Sequence, residues 1–207
     1  IIVKGKAMFV KNLYKEKIIK LIITSIIMIF FTNWTAWAQD GLVQFEIVTP
    51  PVCVNNKGET VQFVKKLSQK AAFSAGMAKR NKKGVPTVYR FSYEKSPKAM
   101  QRFIDLHECA HHQTGDVDRP LPPQNSPLQM MNESIADCIA TLRIRDEHKS
   151  GEALILDALL ELKKTMSSLG FPASSFNSRK SNIINCLKKE VSAETFIYSV
   201  LKHRKLN

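Results

Sequence analysis

Hydrophobic and polar residues alternate in two stretches of the chain. Residues 85–93 read VPTVYRFSY, and residues 42–54 show the same alternation up to the Pro50-Pro51 pair. Alternation with a period of two is typical of a strand that buries one face, and paired prolines are typical of a turn. The pattern therefore predicts a strand at 85–93 and another, ending in a turn, at 42–54.

Helical spacing of apolar residues dominates most of the remaining chain. Apolar residues three or four positions apart share one face of a helix. The best-delimited helix has Ser96 as a candidate N-cap, Pro97 as its first residue and Gly115 as the residue that ends it. The spacing predicts helices at 59–77, 97–113, 128–148, 151–169, 179–190 and 192–204.

The order of these elements indicates the fold class. Two strands and one helix come first, then helices only, with a loop at 114–128 that contains four prolines. This order predicts an α+β fold, in which a small antiparallel or mixed sheet packs on the 97–113 helix and the C-terminal part is mostly helical. The 207 residues, with 44% apolar and 24% charged side chains, suit one ordinary globular domain.

The N-terminal 38 residues have the pattern of an export signal. A lysine-rich lead precedes an apolar stretch at 21–31, and an Ala-x-Ala site ends at Ala38. These are the three parts of a secretory signal peptide, here predicted to start at Met8 and to be cleaved after Ala38. The alternative, an uncleaved membrane anchor, needs about 20 apolar residues. We therefore expect a single exported domain at 39–207, periplasmic or secreted, with no stable membrane span after cleavage.

Removal of that signal changes the charge of the chain. The whole sequence carries a formal net charge of +13, whereas residues 39–207 keep 25 basic and 17 acidic residues, a net charge of +8. The sequence contains no recognisable nucleic-acid-binding module, so nucleic acid is not an expected partner. The excess lysines and arginines predict a solvated basic surface that favours acidic substrates or anionic envelope surfaces.

The segment His107-Glu108-Cys109-Ala110-His111 carries the candidate chemistry. Histidines four residues apart in a helix leave the same face, so both rings can bind one metal ion. Glu108 can then lean over the open side of the ion and take a proton from a bound water, whose pKa zinc lowers to about 7.

A third metal ligand is expected on the next predicted helix. Glu133 lies 22 residues after His111, and Asp137 lies four residues further along the same helix face. Two histidines and a glutamate satisfy the three protein ligands of a catalytic zinc site and leave one position open. Asp137 is suited to hydrogen-bond a ligating imidazole and fix its tautomer.

An H-E-x-x-H motif followed by N-E-x-x-A-D resembles the gluzincin metallopeptidases, the thermolysin-like and HtpX-like enzymes among them. The resemblance covers about residues 85–148 and implies a zincin-like core that cleaves peptides or proteins. It also implies one zinc ion per chain, bound by His107, His111 and Glu133.

By the same resemblance Glu108 is the general base and Asp137 hydrogen-bonds a ligand histidine. The strand at 85–93 is then the sheet edge to which an extended peptide adds. The short chain suggests a minimal form without the large extra domains of bigger relatives, which leaves the substrate preference and the group that stabilises the oxyanion open. Candidates for that group are Tyr89, Tyr93, Arg143, His148, Tyr198 and His203.

Other interpretations of these residues remain at this point. The histidines can be ordinary core or surface residues, and Glu133 and Asp137 can be solvated acidic residues of an amphipathic helix. His112 is interpreted as a flanking or substrate-side residue rather than a ligand. The alternative functions are a zinc hydrolase that acts on a non-protein amide or ester, and a metal-binding protein without turnover.

The four cysteines predict disulfides, because an even number in an exported chain is typical of bridges. None has C-x-x-C spacing. Cys109 lies two residues after His107 and so faces away from the metal, which favours a disulfide or a buried thiol over a zinc thiolate. Three connectivities are open; Cys109–Cys138 with Cys53–Cys186 is the one hypothesised, because the first bridge would join the two metal-binding helices.

Overall fold

The computed structural model describes residues 44–66 and 73–206. Residues 44–207 form one compact unit. The predicted signal peptide at 1–38 lies outside the described residues. Among the residues that are described, no helix combines the length and the apolar character needed to cross a membrane.

The sheet has three strands in the order β1-β3-β2, formed by Gln62–Lys66 (β1), Ala75–Arg80 (β2) and Pro86–Phe91 (β3). β1 pairs with β3 in parallel, and β2 pairs with β3 in antiparallel orientation. β3 confirms the strand predicted at 85–93. Its alternation has the expected consequence, because Val88 and Arg90 are buried on the face that packs toward the helices.

Five α-helices lie in the described residues. The helix Pro127–Glu147 is capped by Ser126, whose side chain accepts a hydrogen bond from the N–H of Gln129. The first three helices match the predicted ones within one or two residues, and the fourth begins six residues earlier than predicted. The helices are α1 (Lys98–Gln113), α2 (Pro127–Glu147), α3 (Gly151–Ser168), α4 (Ala173–Leu187) and α5 (Ala193–His203).

Two of the predicted elements are wrong. The predicted helix at 59–77 contains β1 and the start of β2 in its described part, because these segments pair with β3. The predicted strand at 42–54 has no strand in its described part beyond an isolated bridge at Val54. Its backbone is satisfied elsewhere: the N–H of Val48 donates to the Oε1 atom of Gln101 on α1, at 2.9 Å. The α+β class itself is confirmed.

Helix α1 lies between the sheet and the other helices. Its buried apolar side chains meet those of α2, α3 and α4 in the main core. The face toward the sheet forms a smaller cluster with Val61 and Val88. A helix that is covered on both sides holds its side chains in fixed rotamers. This position gives α1 a rigid frame from which to present polar side chains to a cleft.

Both disulfides differ from the hypothesised pairing. Cys53 bonds to Cys109 and Cys138 bonds to Cys186. The reason is the direction of each side chain: Cys109 faces the sheet-side cluster, whereas Cys138 faces the cluster formed with α4 and α5. The bridges therefore fasten α1 to the segment before β1 and α2 to α4, and do not join α1 to α2. The expectation that Cys109 turns away from the metal-binding face in a disulfide is confirmed.

Candidate metal centre

Helices α1 and α2 bring His107, His111 and Glu133 to one point. The Nε2 atoms of the two histidines are 3.2 Å apart. The Glu133 carboxylate oxygens lie 3.2 Å from Nε2 of His107 and 3.6 Å from Nε2 of His111. These three side chains could hold one metal ion.

The other ring nitrogen of each histidine is fixed by a carboxylate. Nδ1–H of His107 donates to Oδ1 of Asp137 at 2.9 Å, and Nδ1–H of His111 donates to Oδ2 of Asp116 at 3.0 Å. A carboxylate can only accept, so each Nδ1 carries the proton and each Nε2 presents a lone pair. Two lone pairs and the Glu133 carboxylate therefore converge, which is a stable arrangement only with a cation between them.

The protonation of His107 agrees with this need for positive charge. Burial alone lowers the pKa of His107, but the hydrogen bonds to Asp137 and Glu133 outweigh burial and raise this pKa to about 10. For Glu133 the two effects have the opposite signs: burial raises its pKa, but the hydrogen bond and charge of His107 outweigh burial and lower this pKa to about 2. Without a metal, a proton is the cation that the three groups share.

Asp137 is completely buried and held by two partners. Besides His107, Arg179 of α4 donates from Nε and from a terminal nitrogen to the two Asp137 oxygens, each at 2.7 Å. Burial raises the pKa of Asp137, but the charge and hydrogen bonds of Arg179 and the bond from His107 lower it to about 2. The two parallel hydrogen bonds from the Arg179 guanidinium keep Asp137 ionised and fix its orientation toward His107.

Asp116 orients the ring of His111 in the way that Asp137 orients the ring of His107. It opens the short 3-10 helix Asp116–Asp118 directly after Gly115, whose φ of 73° ends α1 with a turn that favours glycine. Its carboxylate also accepts from the Thr114 hydroxyl and from Arg204. Burial raises the pKa of Asp116, and the hydrogen bond of His111 and the charge of Arg204 outweigh burial and lower it.

Glu108 is bound to the neighbouring strand. Its Oε2 atom accepts a hydrogen bond of 2.7 Å from the backbone N–H of Ala78 in β2. The close approach depends on Gly76, because a Cβ there would lie 2.4 Å from Cγ of Glu108 and 2.7 Å from Cγ2 of Ile104. The strand beside the site is thus β2. The prediction that 85–93 forms the sheet edge is wrong, because β3 is the central strand.

Two cavities meet at this point and share Gly76, His107, Glu108 and Glu133 in their walls. The smaller has a volume of about 280 Å³ and walls of mixed polarity that include His111, Asp116 and Asn132. The larger has a volume of about 590 Å³ and is mostly apolar, with Arg179 as its cation. Its apolar wall includes Phe73, Phe103, Ile104, Leu162, Met166 and Phe171.

The six candidates for oxyanion stabilisation are absent from the walls of both cavities. Tyr93 lies in the main core, and Tyr89 lies on the outer side of the sheet under the ammonium groups of two lysines. His112 is also not a substrate-side residue: it is buried, and its Nε2 lies 3.2 Å from the carbonyl oxygen of Thr87 in β3. That position follows from its rotation about the helix axis, toward the sheet.

Sequence reasoning missed Asp116, Arg179 and Arg204. Asp116 is close enough to His111 in sequence to have been considered, as an acidic residue one turn beyond a ligand. The two arginines come from α4 and from the end of α5, and no spacing rule links them to the H-E-x-x-H segment. Comparisons of the chain with protein-family models, curated proteins and solved structures found no match.

Proposed function

We propose that this chain is a zinc-dependent metallohydrolase that cleaves peptide bonds. The observation that carries the proposal is the convergence of three electron-pair donors, His107, His111 and Glu133, in one cleft. Tetrahedral zinc, with bonds of about 2.0–2.1 Å to nitrogen and oxygen, requires ligand atoms about 3.4 Å apart. The two Nε2 atoms, 3.2 Å apart, are close to that requirement, and each has one Glu133 oxygen nearby, Oε2 at 3.2 Å from His107 and Oε1 at 3.6 Å from His111. One ligand atom from each of the three residues lies within 4.8 Å of the others.

The chemistry of the donor set supports zinc in a catalytic rather than a structural site. Two imidazoles and one carboxylate leave the fourth position of a tetrahedron open, and closed structural sites are built mainly from cysteines. All four cysteines of this chain are already in disulfides. When bound, zinc supplies a Lewis acid that polarises a carbonyl group and lowers the pKa of water to about 7.

Glu108 is the proposed general base. It precedes the buried Cys109 in α1, lines both cavities and is held at the cleft by the N–H of Ala78. From there its carboxylate takes a proton from the attacking water and delivers it to the nitrogen of the breaking C–N bond. Asp137 and Asp116 keep the two imidazoles in the required tautomer throughout.

Two features support a peptide as the substrate. Strand β2 is an edge of the described sheet and lines the cleft, so an extended peptide can add to it by main-chain hydrogen bonds. The larger, apolar cavity lies beside the triad formed by His107, His111 and Glu133. It has the size and lining to receive an apolar side chain next to the scissile bond. An exported location is part of the proposal, and the two disulfides support it, because disulfides persist in oxidising compartments.

The test compares the wild type with Glu108→Gln and with Glu190→Gln, a control at an exposed carboxylate in the turn after α4. We expect about one zinc ion per chain in all three proteins. Hydrolysis of a peptide library should fall about 10²–10⁴-fold in Glu108→Gln alone, because glutamine keeps the shape of the side chain but cannot take the proton.

Each other result points to a different function. Zinc binding with hydrolysis of small amides or esters but not of peptides indicates a non-protein hydrolase. Zinc binding without turnover of any substrate indicates a metal-binding protein. A folded wild type that binds no zinc refutes the proposal.

A further inference from the structure

The residue that follows α5 reaches back to the metal-binding helices. Arg204 comes from a part of the sequence with no connection to the H-E-x-x-H motif, yet its side chain is only 5% exposed. Its own carbonyl oxygen accepts a hydrogen bond of 3.4 Å from Arg119 in the loop between α1 and α2. Both the backbone and the side chain of this residue are therefore fixed beside the candidate metal centre.

The guanidinium of Arg204 joins the end of α1 to α2. One terminal nitrogen donates to Oδ1 of Asp116 at 2.5 Å and to the carbonyl oxygen of Thr114 at 2.8 Å. The other terminal nitrogen donates to Oδ1 of Asn132 at 2.7 Å. A planar fork with fixed donors suits this bridge between two groups, whereas a lysine ammonium provides only a point charge.

Each end of this bridge leads to a different metal ligand. Asp116 receives the Nδ1–H of His111, so the bond from Arg204 fixes the carboxylate that orients that imidazole. Asn132 directly precedes Glu133 in α2, so the second bond fixes the backbone turn that presents the Glu133 carboxylate. One side chain thus contacts the residue that orients His111 and the residue next to Glu133, which lie at the end of α1 and in α2.

We propose that Arg204 is a positioning residue that sets the metal affinity of the site, by holding His111 and Glu133 at the separation that one ion requires. The inference rests on the proposed zinc site. The competing explanation is that Arg204 only attaches α5 to the rest of the domain. Arg145 is the matched control for that explanation, because it donates to the carbonyl oxygens of Lys189 and Val191 and so anchors the start of α5 away from the site.

The experiment measures zinc affinity by competition with a chromogenic chelator, for the wild type, Arg204→Met, Arg204→Lys and Arg145→Met. Removal of a group that supports a metal ligand lowers metal affinity about 10–100-fold. We expect that loss in Arg204→Met, a smaller loss in Arg204→Lys, and a change of less than about twofold in Arg145→Met. Cobalt(II) provides a second readout, because its visible spectrum should change in Arg204→Met and stay as in the wild type in Arg145→Met.

The outcomes separate this inference from the proposed function. Unchanged zinc affinity in Arg204→Met, or an equal loss in Arg204→Met and Arg145→Met, overturns the positioning role while the zinc site stands. A wild type that binds no zinc removes both proposals, and zinc binding without peptide cleavage removes only the peptidase. Should Arg204→Met not fold, Arg204→Lys and Asn132→Ala decide, and wild-type affinity in both contradicts the inference.

Discussion

Gly76 is the position where a single methyl group should have the largest effect on the reaction. Alanine is compatible with its backbone, since its φ is not in the left-handed region, so the substitution adds only the contact. The new Cβ would meet Cγ of Glu108 at 2.4 Å and Cγ2 of Ile104 at 2.7 Å, and Ile104 is a buried core residue. Insertion of a group into a packed contact of this kind costs about 1–3 kcal/mol.

The methyl group forces β2 away from α1 or turns Glu108 out of its place. Either movement breaks the hydrogen bond from Ala78 to Glu108. If Glu108 is the general base proposed above, we expect Gly76→Ala to lower kcat/KM for a peptide substrate by at least about tenfold, since a displaced base loses its geometry. Zinc content should remain at the wild-type level, because the three atoms nearest to the new Cβ belong to Glu108 and Ile104 and not to a proposed ligand. Urea unfolding monitored by circular dichroism measures the loss of stability.

Gly84→Ala is the control for a general loss of stability. Gly84 lies in the turn between β2 and β3 with a φ of 79°, and a Cβ there would meet nothing within 4 Å. The left-handed conformation costs an alanine about 1–2 kcal/mol, so this variant should lose comparable stability and keep its activity. An equal loss of activity in both variants, or none in Gly76→Ala, would show that the close contact between Gly76 and Glu108 does not position that carboxylate.

Two further predictions concern pH and the disulfides. In the metal-free protein, stability should be greatest between about pH 4.5 and pH 6.5 as far as the triad is concerned. The pKa of His107 is raised to about 10, so its contribution to the stability is complete below pH 6.5 and is lost as the pH rises toward 10. The pKa values of Glu133 and Asp137 are lowered to about 2, so their contributions to the stability are lost as the pH falls toward 2. Thermal unfolding measured from about pH 2 to pH 10 in the presence of a chelator tests both losses of stability. A melting temperature that does not change at either the acidic or the basic end would contradict these pKa shifts. Replacement of Cys138 and Cys186 by serine should lower the unfolding free energy by about 4 kcal/mol, since the bridge closes a separation of 48 residues; denaturant titration measures it, and a change below about 1 kcal/mol would contradict it.

The helices and the three candidate ligands could be predicted from the sequence because the signals are local. Helical spacing and the His107-x-x-x-His111 interval each depend on residues within a few turns of one another. The predicted cap of α1 was wrong: Pro97 rather than Ser96 occupies the N-cap position, and no side chain caps that helix. Glu133 lies on the next helix after a loop, and its distance from His111 is short enough for the two helices to form a hairpin. The carboxylates that accept the two Nδ1–H bonds also lie near the ligands in sequence: Asp137 was predicted from the helix face it shares with Glu133, and Asp116, five residues after His111, was missed although its signal is local.

The sheet and the supports of the site depend on contacts between distant residues. The 59–77 segment has apolar residues at nearly helical spacing, and pairing with β3 overrides that local preference. The pairing of the cysteines depends on which way Cys109 and Cys138 face, which is set by the packing of five helices. Arg179 and Arg204 approach the centre from later helices, so no interval in the sequence relates them to the ligands they support.

The bridge between Cys53 and Cys109 has a consequence for the order in which the protein matures. Cys109 lies between the two histidines of the H-E-x-x-H segment. In the reduced, unfolded chain, its thiolate and the three others are strong ligands that compete with the imidazoles for zinc. Oxidation withdraws all four sulfurs from that competition. Disulfide formation before metal loading would therefore leave nitrogen and oxygen as the ligands, and so favour the proposed open, three-ligand centre over a closed thiolate one.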